Sequence, residues 1–291
     1  MRVLARSVLI VAAAACVLGA AVAAQTKPIF PPLEAATAAG WRDYAAATEQ
    51  RIADELKSLP RFLALDFGTS AAADRKAVLA GGMPIAEMHT QNKKTGRTID
   101  VPGAWVHHWR GAVLVPNVRL NQVFERLKAE VPGVGKGDVV EAKILAPEPR
   151  MRTFIKLQRS GSFAFLPYHF VYLTEHDVVF TPRTSVQGTS TSAATKIVEL
   201  SEPGTVRERE FKAGEDNRLL QRWNSYWRYE EVPAGVIVEC ESITLSRSVW
   251  MGIGRGVAAQ TAKESMEKAL INLRGHFATA AQKRPVSSPA R

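Results

Sequence analysis

The stretch Arg222-Trp223-Asn224-Ser225-Tyr226-Trp227-Arg228-Tyr229-Glu230-Glu231, followed after Pro233-Ala234-Gly235 by Val236-Ile237-Val238-Glu239-Cys240-Glu241-Ser242-Ile243, decides the fold. Both runs alternate, and both are rich in the aromatic and β-branched residues that strands favour. In the first, Trp223, Ser225, Trp227 and Tyr229 share one side, opposite Arg222, Asn224, Tyr226, Arg228 and Glu230. In the second, Val236, Val238, Cys240 and Ser242 oppose Ile237, Glu239, Glu241 and Ile243. Paired as a hairpin, the arginine face of one meets the glutamate face of the other. That face reads either as a salt-bridged outer surface or as a cavity mouth. In the second reading Tyr226, Arg228, Glu239 and Glu241 orient a polar head, and Trp223 and Trp227 supply aromatic wall. Alternation alone does not say which face is concave.

Working outward, the hairpin is followed by Gly252, Gly254 and Gly256 and then by a long helix over about 258–278. Ala262, Met266, Ala269, Leu270, Leu273 and Phe277 line one face of it. Upstream, 104–115 reads as a strand stopped by Pro116, and 120–130 as an amphipathic helix with Leu120, Val123, Phe124 and Leu127 inward, stopped by Pro132. Further strands are predicted near 139–146, 150–158, 165–174, 177–199 (one or two) and 218–232, with the last at 235–247. A separate helix is expected over 34–59, ending at Pro60, after a proline-rich lead-in; residues 61–100 show turns and little periodicity. Strands in succession, without alternating helices, give an α+β order and argue against a doubly wound sheet. A long antiparallel sheet needs one face covered, and the late element able to do so is the closing helix. The expectation is a curved antiparallel sheet wrapped around a long C-terminal helix, with an extra N-terminal helix.

That order resembles the helix-grip fold of the START-like superfamily, which includes polyketide cyclase/dehydrase-type proteins and lipid-transfer domains. The segments that carry the resemblance to secreted bacterial members are Val106-His107-His108-Trp109-Arg110-Gly111-Ala112-Val113, residues 222–231, Val238-Glu239-Cys240-Glu241-Ser242 and the closing helix. It covers roughly residues 100–278 and leaves the N-terminal helix outside. The resemblance implies a cavity between the C-terminal helix and the concave face of the sheet, taking an apolar or amphipathic molecule, and makes the glycines before the helix a cavity rim. Fold of this kind hosts carriers, cyclases and plain binding modules, so it does not choose among them.

At the other end, Arg2 and Arg6 precede an uncharged apolar run from Ser7 to Ala24, closing on Ala21-Val22-Ala23-Ala24 before Gln25. This is the order of a secretory signal peptide over 1–24, with small residues at the cleavage site. An uncleaved anchor helix is the alternative, disfavoured by alanines where a span would carry leucines. Lipidation at Cys16 is disfavoured by the apolar residues that follow it. The protein is thus expected to be exported, periplasmic or extracellular. Removing the leader takes two of 38 basic residues, leaving +8 against 28 acidic ones, and a single cysteine, Cys240. An exported domain with one thiol cannot be stapled internally and must rely on a packed core; Cys240 reads as a small buried hydrophobe. The organisation expected is a leader (1–24), an N-terminal helical extension packed on the domain (25–100), a helix-grip domain (101–278) and a disordered tail (279–291).

The positive charge suits transient contact with an anionic envelope surface. It is spread, without an aromatic-basic stripe, so nucleic acid is not an expected partner. His107 and His108 are adjacent on a strand and face opposite ways, and no His-x-His or Glu-x-x-His pair exists, so neither a metal nor another cofactor is expected. No Gly-x-Ser-x-Gly elbow is present, and Gly-x-Gly-x-Gly before the last helix lacks nucleotide-binding spacing. Three functions remain: a binding module for a hydrophobic or amphipathic small molecule, possibly a lipid; a cyclase/dehydratase-type enzyme in the same cavity, for which Tyr226, Glu239, Glu241 and His108 are the candidate proton-transfer groups; and an envelope interaction module with a filled core.

Overall fold

The computed structural model describes residues 28–58, 60–163, 166–212, 214–247 and 255–282. The leader, Cys16, Gly252, Gly254 and the tail from 283 lie outside the described residues. Helix α1 (Ala35–Glu55) is followed by a 3-10 turn (Ala64–Phe67), α2 (Ala71–Leu79), β1 (Ile85–Glu87), β2 (Trp105–Pro116) and α3 (Leu120–Ala129). Then come β3 (Val139–Ala146), β4 (Met151–Phe163), β5 (Leu166–Pro182), β6 (Gln187–Ser201), β7 (Arg209–Glu210), β8 (Arg222–Val232), β9 (Gly235–Ser246) and α4 (Arg255–Gln282). Among the described residues, the strands form one antiparallel sheet in the order β1-β2-β9-β8-β6-β5-β4-β3, with β7 on β6. The long meander and the closing helix across it are the START-like helix-grip arrangement.

Sequence reading and structure differ in two places. The sequence reading ends one strand at 174 and begins the next at 177, yet β5 runs through Thr174-Glu175-His176-Asp177 with a register shift at Glu175/His176. The polar side chains there are satisfied within the sheet: Thr174 and His176 are buried and bonded to each other at 3.1 Å, and Glu175 takes Arg152 at 2.7 Å. The second difference is the segment 61–100, which holds the 3-10 turn, α2 and the edge strand β1. Asp66 accepts the N–H groups of Phe62 and Leu63 and seeds that turn locally.

Strand alternation assigns each face of the sheet. On β2 the odd positions point toward α4: Val113 and Val115 pack with Met266, Leu270, Leu273 and Phe277 in the largest apolar cluster, which also takes in α3 through Val123, Phe124 and Leu127. Gly111 belongs to this face because the helix leaves no room for a side chain. A Cβ there would stand 2.6 Å from Leu270 Cδ1. The register Gly111↔Cys240 and Trp227↔Cys240 extends the same face to Val238, Cys240 and Ser242 on β9 and to Trp223, Ser225, Trp227 and Tyr229 on β8.

The opposite face is not a surface either. Ala112, Leu114 and Ile237 are buried against Phe62, Leu63, Leu65 and Val78, and Ile243 and Leu245 against Trp41 and Tyr44 of α1. The N-terminal segment is therefore a third layer, and the central strands β2, β8 and β9 are covered on both sides. Gly40 lets α1 close on the segment that leads into β2, since a Cβ there would meet Pro102 Cδ at 2.9 Å.

Candidate functional site

A cavity of about 270 Å³, partly open to solvent, lies between the N-terminal half of α4 and the concave face of the sheet. It exists because α4 changes character along its length. Its second half fills the space beneath it with Leu270, Leu273 and Phe277. Its first half presents Ala258, Ala262 and Ser265, too small to reach the sheet. The floor is aromatic: Trp109 from β2, Trp223 and Trp227 from β8, and Tyr168, Phe170 and Tyr172 from β5. Leu219 and Leu220 close one side from the segment before β8, which Glu199 holds by accepting from Asn217 N–H at 2.9 Å and from Tyr172 Oη at 3.0 Å.

Few polar atoms face this space. Trp223 Nε1 donates to Ser225 Oγ at 2.9 Å and to Ser242 Oγ at 3.1 Å, and Ser225 Oγ donates to Ser242 Oγ at 3.3 Å. His107 lines the wall, its Nε2 2.7 Å from Ser246 Oγ. His176 packs edge-on beneath Trp223, ring centroids 4.7 Å apart, and burial pushes its pKa down to about 4, so it is neutral. The charges at the rim neutralise one another. Arg159 pairs with Asp138 and, at 3.0 Å, with Glu264, and Lys268 takes Asp138 at 2.8 Å. A larger depression of about 440 Å³ near the end of α3 is lined by groups such as Glu130, Lys136, Lys143 and His276 and has no Trp, Tyr or Phe wall. By the rule that small-molecule sites combine apolar walls with a few placed polar groups, the 270 Å³ cavity is the candidate site.

The structure brings Trp223 and Trp227 to this cavity. It places Tyr226, Arg228, Glu239, Glu241 and His108 elsewhere, on the far side of the sheet under α1 and the 3-10 turn, so they form no cavity mouth. The cross-strand pairing itself is as read, Tyr226↔Glu241 and Arg228↔Glu239. The layer is nevertheless no solvated surface: Arg228 is 3 % exposed, Glu239 1 % and Glu241 2 %. The reason is the N-terminal segment, whose own polar groups meet these side chains. Arg228 donates to Phe62 O at 2.9 Å and pairs with Glu55. Glu239 accepts Ala64 N–H at 2.5 Å and Leu65 N–H at 2.8 Å. Tyr226 Oη donates to Glu49 at 2.9 Å.

His108 joins this layer as a relay. Tyr44 Oη accepts Thr90 N–H at 3.1 Å, which leaves its hydrogen for His108 Nδ1 at 2.8 Å; the ring then donates from Nε2 to Glu241 Oε1 at 2.8 Å. Arg51 also pairs with Glu241. Burial works to raise the Glu241 pKa, but the hydrogen bond from His108 and the charges around it hold the group below the usual carboxylate range. Glu239 goes the other way: burial lifts it to about 7 against Arg228, Arg110 and its two backbone donors. A buried carboxylate with a raised pKa is present, then, but among packed side chains rather than in the cavity.

Among the cavity residues that sequence reasoning missed are Trp109, Ser242, Phe170 and Tyr172. Trp109 and Ser242 stand within quoted motifs, and both follow from the hairpin register once Trp223 and Trp227 are known to face α4. Cys240 is a buried free thiol on the same wall, and burial raises its pKa well above the ordinary value.

No protein-family model and no curated protein matches the chain. Solved structures similar to it include human StAR-related lipid transfer protein 5, with 12 % identity over 84 % of this chain and 99 % of that one and a TM-score of 0.38. A STAR-related lipid transfer protein from Xanthomonas axonopodis follows at 15 % identity, 62 % and 96 % coverage and a TM-score of 0.35. Zhui aromatase/cyclase from Streptomyces sp. R1128 has 14 % identity, 63 % and 99 % coverage and a TM-score of 0.34. By its own strand order and closing helix the chain is an α+β protein of the START-like helix-grip fold. It differs from a bare sheet-and-helix grip in its third, N-terminal layer, and the functional reading rests on its own cavity.

Proposed function

We propose that this chain is an exported binding module that holds a hydrophobic or amphipathic small molecule between the concave face of the sheet and α4. The observation that carries the reading is the aromatic cavity beneath the small-residue half of the helix. An engineered apolar cavity of about 150 Å³ accepts benzene. The 270 Å³ here suits a larger body, such as two fused rings or a short chain. The wall is apolar, and the rim charges are already paired, so burial of apolar surface supplies the affinity and a polar end stays at the opening.

A cyclase/dehydratase-type reaction would need at least two titratable groups within reach of one substrate. The groups offered for it by the sequence, Tyr226, Glu239, Glu241 and His108, lie behind the sheet, and this favours the carrier over the enzyme. Export rests on the leader-like sequence at 1–24, and contact with an anionic envelope surface on the net charge. The test is native mass spectrometry of the mature protein isolated without detergent from its own envelope. A discrete excess mass, lost on unfolding and identified as an apolar compound, supports the proposal. Protein at its bare mass that also takes up no apolar probe in titration overturns it.

A further inference from the structure

Within the proposed site, two donors stand side by side without a protein acceptor. Trp109 and Ser242 are directly opposite on β2 and β9, and both line the cavity. The indole Nε1–H of Trp109 is buried and has no hydrogen-bond partner among the described residues. Ser242 Oγ accepts from Ser225 Oγ and shares the single Trp223 Nε1 hydrogen with Ser225, so it stands here as an acceptor toward both and its own hydrogen is left to give. Both hydrogens thus belong to donors, on adjacent strands, on one wall of an otherwise apolar space.

A buried donor without an acceptor is costly, and natural structures rarely leave one without a reason. Two donors at directly opposed strand positions on one wall have the logic of a two-donor hole for one oxygen. We infer that Trp109 and Ser242 form a subsite for a carbonyl or similarly strong neutral acceptor oxygen, and that the ligand class is a neutral, ring-containing ketone, ester or amide rather than a fatty-acid anion. Neutrality follows from the rim. Arg159 and Lys268, the cations on the lining, are both committed to carboxylates of the same chain. A ligand carboxylate would have to break those pairs or go without a counter-charge in an aromatic pocket. The flat walls of Trp223, Trp227 and Phe170 suit rings, which stack or meet edge-on, better than a flexible chain that loses rotamers on entering.

This inference depends on the cavity being the binding site, and its test separates the two. Dissociation constants of 2-acetylnaphthalene and 2-ethylnaphthalene, close in shape but differing in the carbonyl, are measured by titration calorimetry on the mature protein, on Trp109→Phe and on Ser242→Ala. The expected result is that the wild type binds the ketone roughly tenfold more tightly than the hydrocarbon. Each variant loses most of that preference, measured as the ratio of the two constants in the same protein, and its cooperative thermal unfolding shows that it is folded. Equal affinity for both probes in the wild type overturns the donor pair and leaves the binding module standing. A preference that survives both substitutions places the acceptor elsewhere and likewise overturns it. Failure of the wild type to bind either probe overturns the binding reading and this inference together.

Discussion

Replacing Glu239 with glutamine sets two physical effects against each other beneath α1. Glu239 is wholly buried, and its two carboxylate oxygens each accept a backbone N–H, from Ala64 and Leu65. Arg110 Nη1 stands 3.8 Å from Oε2. These partners favour the anion, burial opposes it, and burial wins, lifting the pKa from 4.5 to about 7. A carboxyl whose folded pKa is raised binds its proton more tightly in the fold than in the unfolded chain. Its contribution is therefore fully present below the unfolded value and is lost as pH rises through 7. The displacement corresponds to roughly 3 kcal/mol over the whole range, of which about 2 to 3 falls between pH 5 and pH 8.

The glutamine variant has no such dependence, but its amide can accept at only one of the two backbone donors. Leaving the other unpaired costs about 1 to 3 kcal/mol at every pH. The expected outcome is that wild type exceeds Glu239→Gln in unfolding free energy at pH 5, and that the gap narrows by about 2 kcal/mol or more by pH 8. Urea unfolding followed by tryptophan fluorescence reads both values, and taking the difference between the two proteins cancels every other titrating group. A gap that widens with pH would refute the reasoning, because it would mean that the backbone donors and guanidinium groups outweigh burial.

His176 gives the mirror image: with its pKa held down at about 4 by burial, wild-type stability falls as pH drops from 6.5 toward 4. The loss reaches about 3 kcal/mol, and it should be absent from the same urea titration of His176→Gln. Gly111→Ala would press a methyl group into Leu270, Ile85 and Met266, and thermal unfolding should show a loss of about 1 to 3 kcal/mol, with α4 loosened from β2. Tyr44→Phe removes the hydroxyl shared by Thr90 N–H and His108 Nδ1, and a stability loss of about 1 to 3 kcal/mol is expected in chemical denaturation.

Much of the fold was legible because its strongest signals are local. The alternation of 222–231 and 235–247 sets a register, Pro233-Ala234-Gly235 sets the turn, and the apolar stripe from Met266 to Phe277 sets a helix that must cover something. The site was legible only by half. A strand usually shows which face is interior because one face is apolar and the other charged, and by that rule the face of Tyr226, Arg228, Glu239 and Glu241 belongs in water or at an opening. Here both faces are interior. The charged face is buried under a layer whose own groups, Glu49, Arg51, Glu55 and the N–H groups of Ala64 and Leu65, pair with it from more than 170 residues away in sequence for each pair with β8 or β9. No periodicity within 61–100 announces the Ala64 and Leu65 donors, and the helical pattern of 34–59 does not say what Glu49, Arg51 and Glu55 face. Trp109 was hidden for a related reason: its role depends on the face of Trp223 and Trp227, which only the helix above them identifies.

The claim that the ligand lies beneath the first half of α4 is tested most directly by filling that space. Ala262 lines the cavity, and Ala262→Phe would place a ring where the helix now leaves room. Binding of 2-acetylnaphthalene by titration calorimetry should weaken at least tenfold in this variant, while its thermal midpoint stays within a few degrees of wild type. Unchanged affinity in a folded Ala262→Phe protein would contradict the claim and put the binding site outside the cavity between helix and sheet.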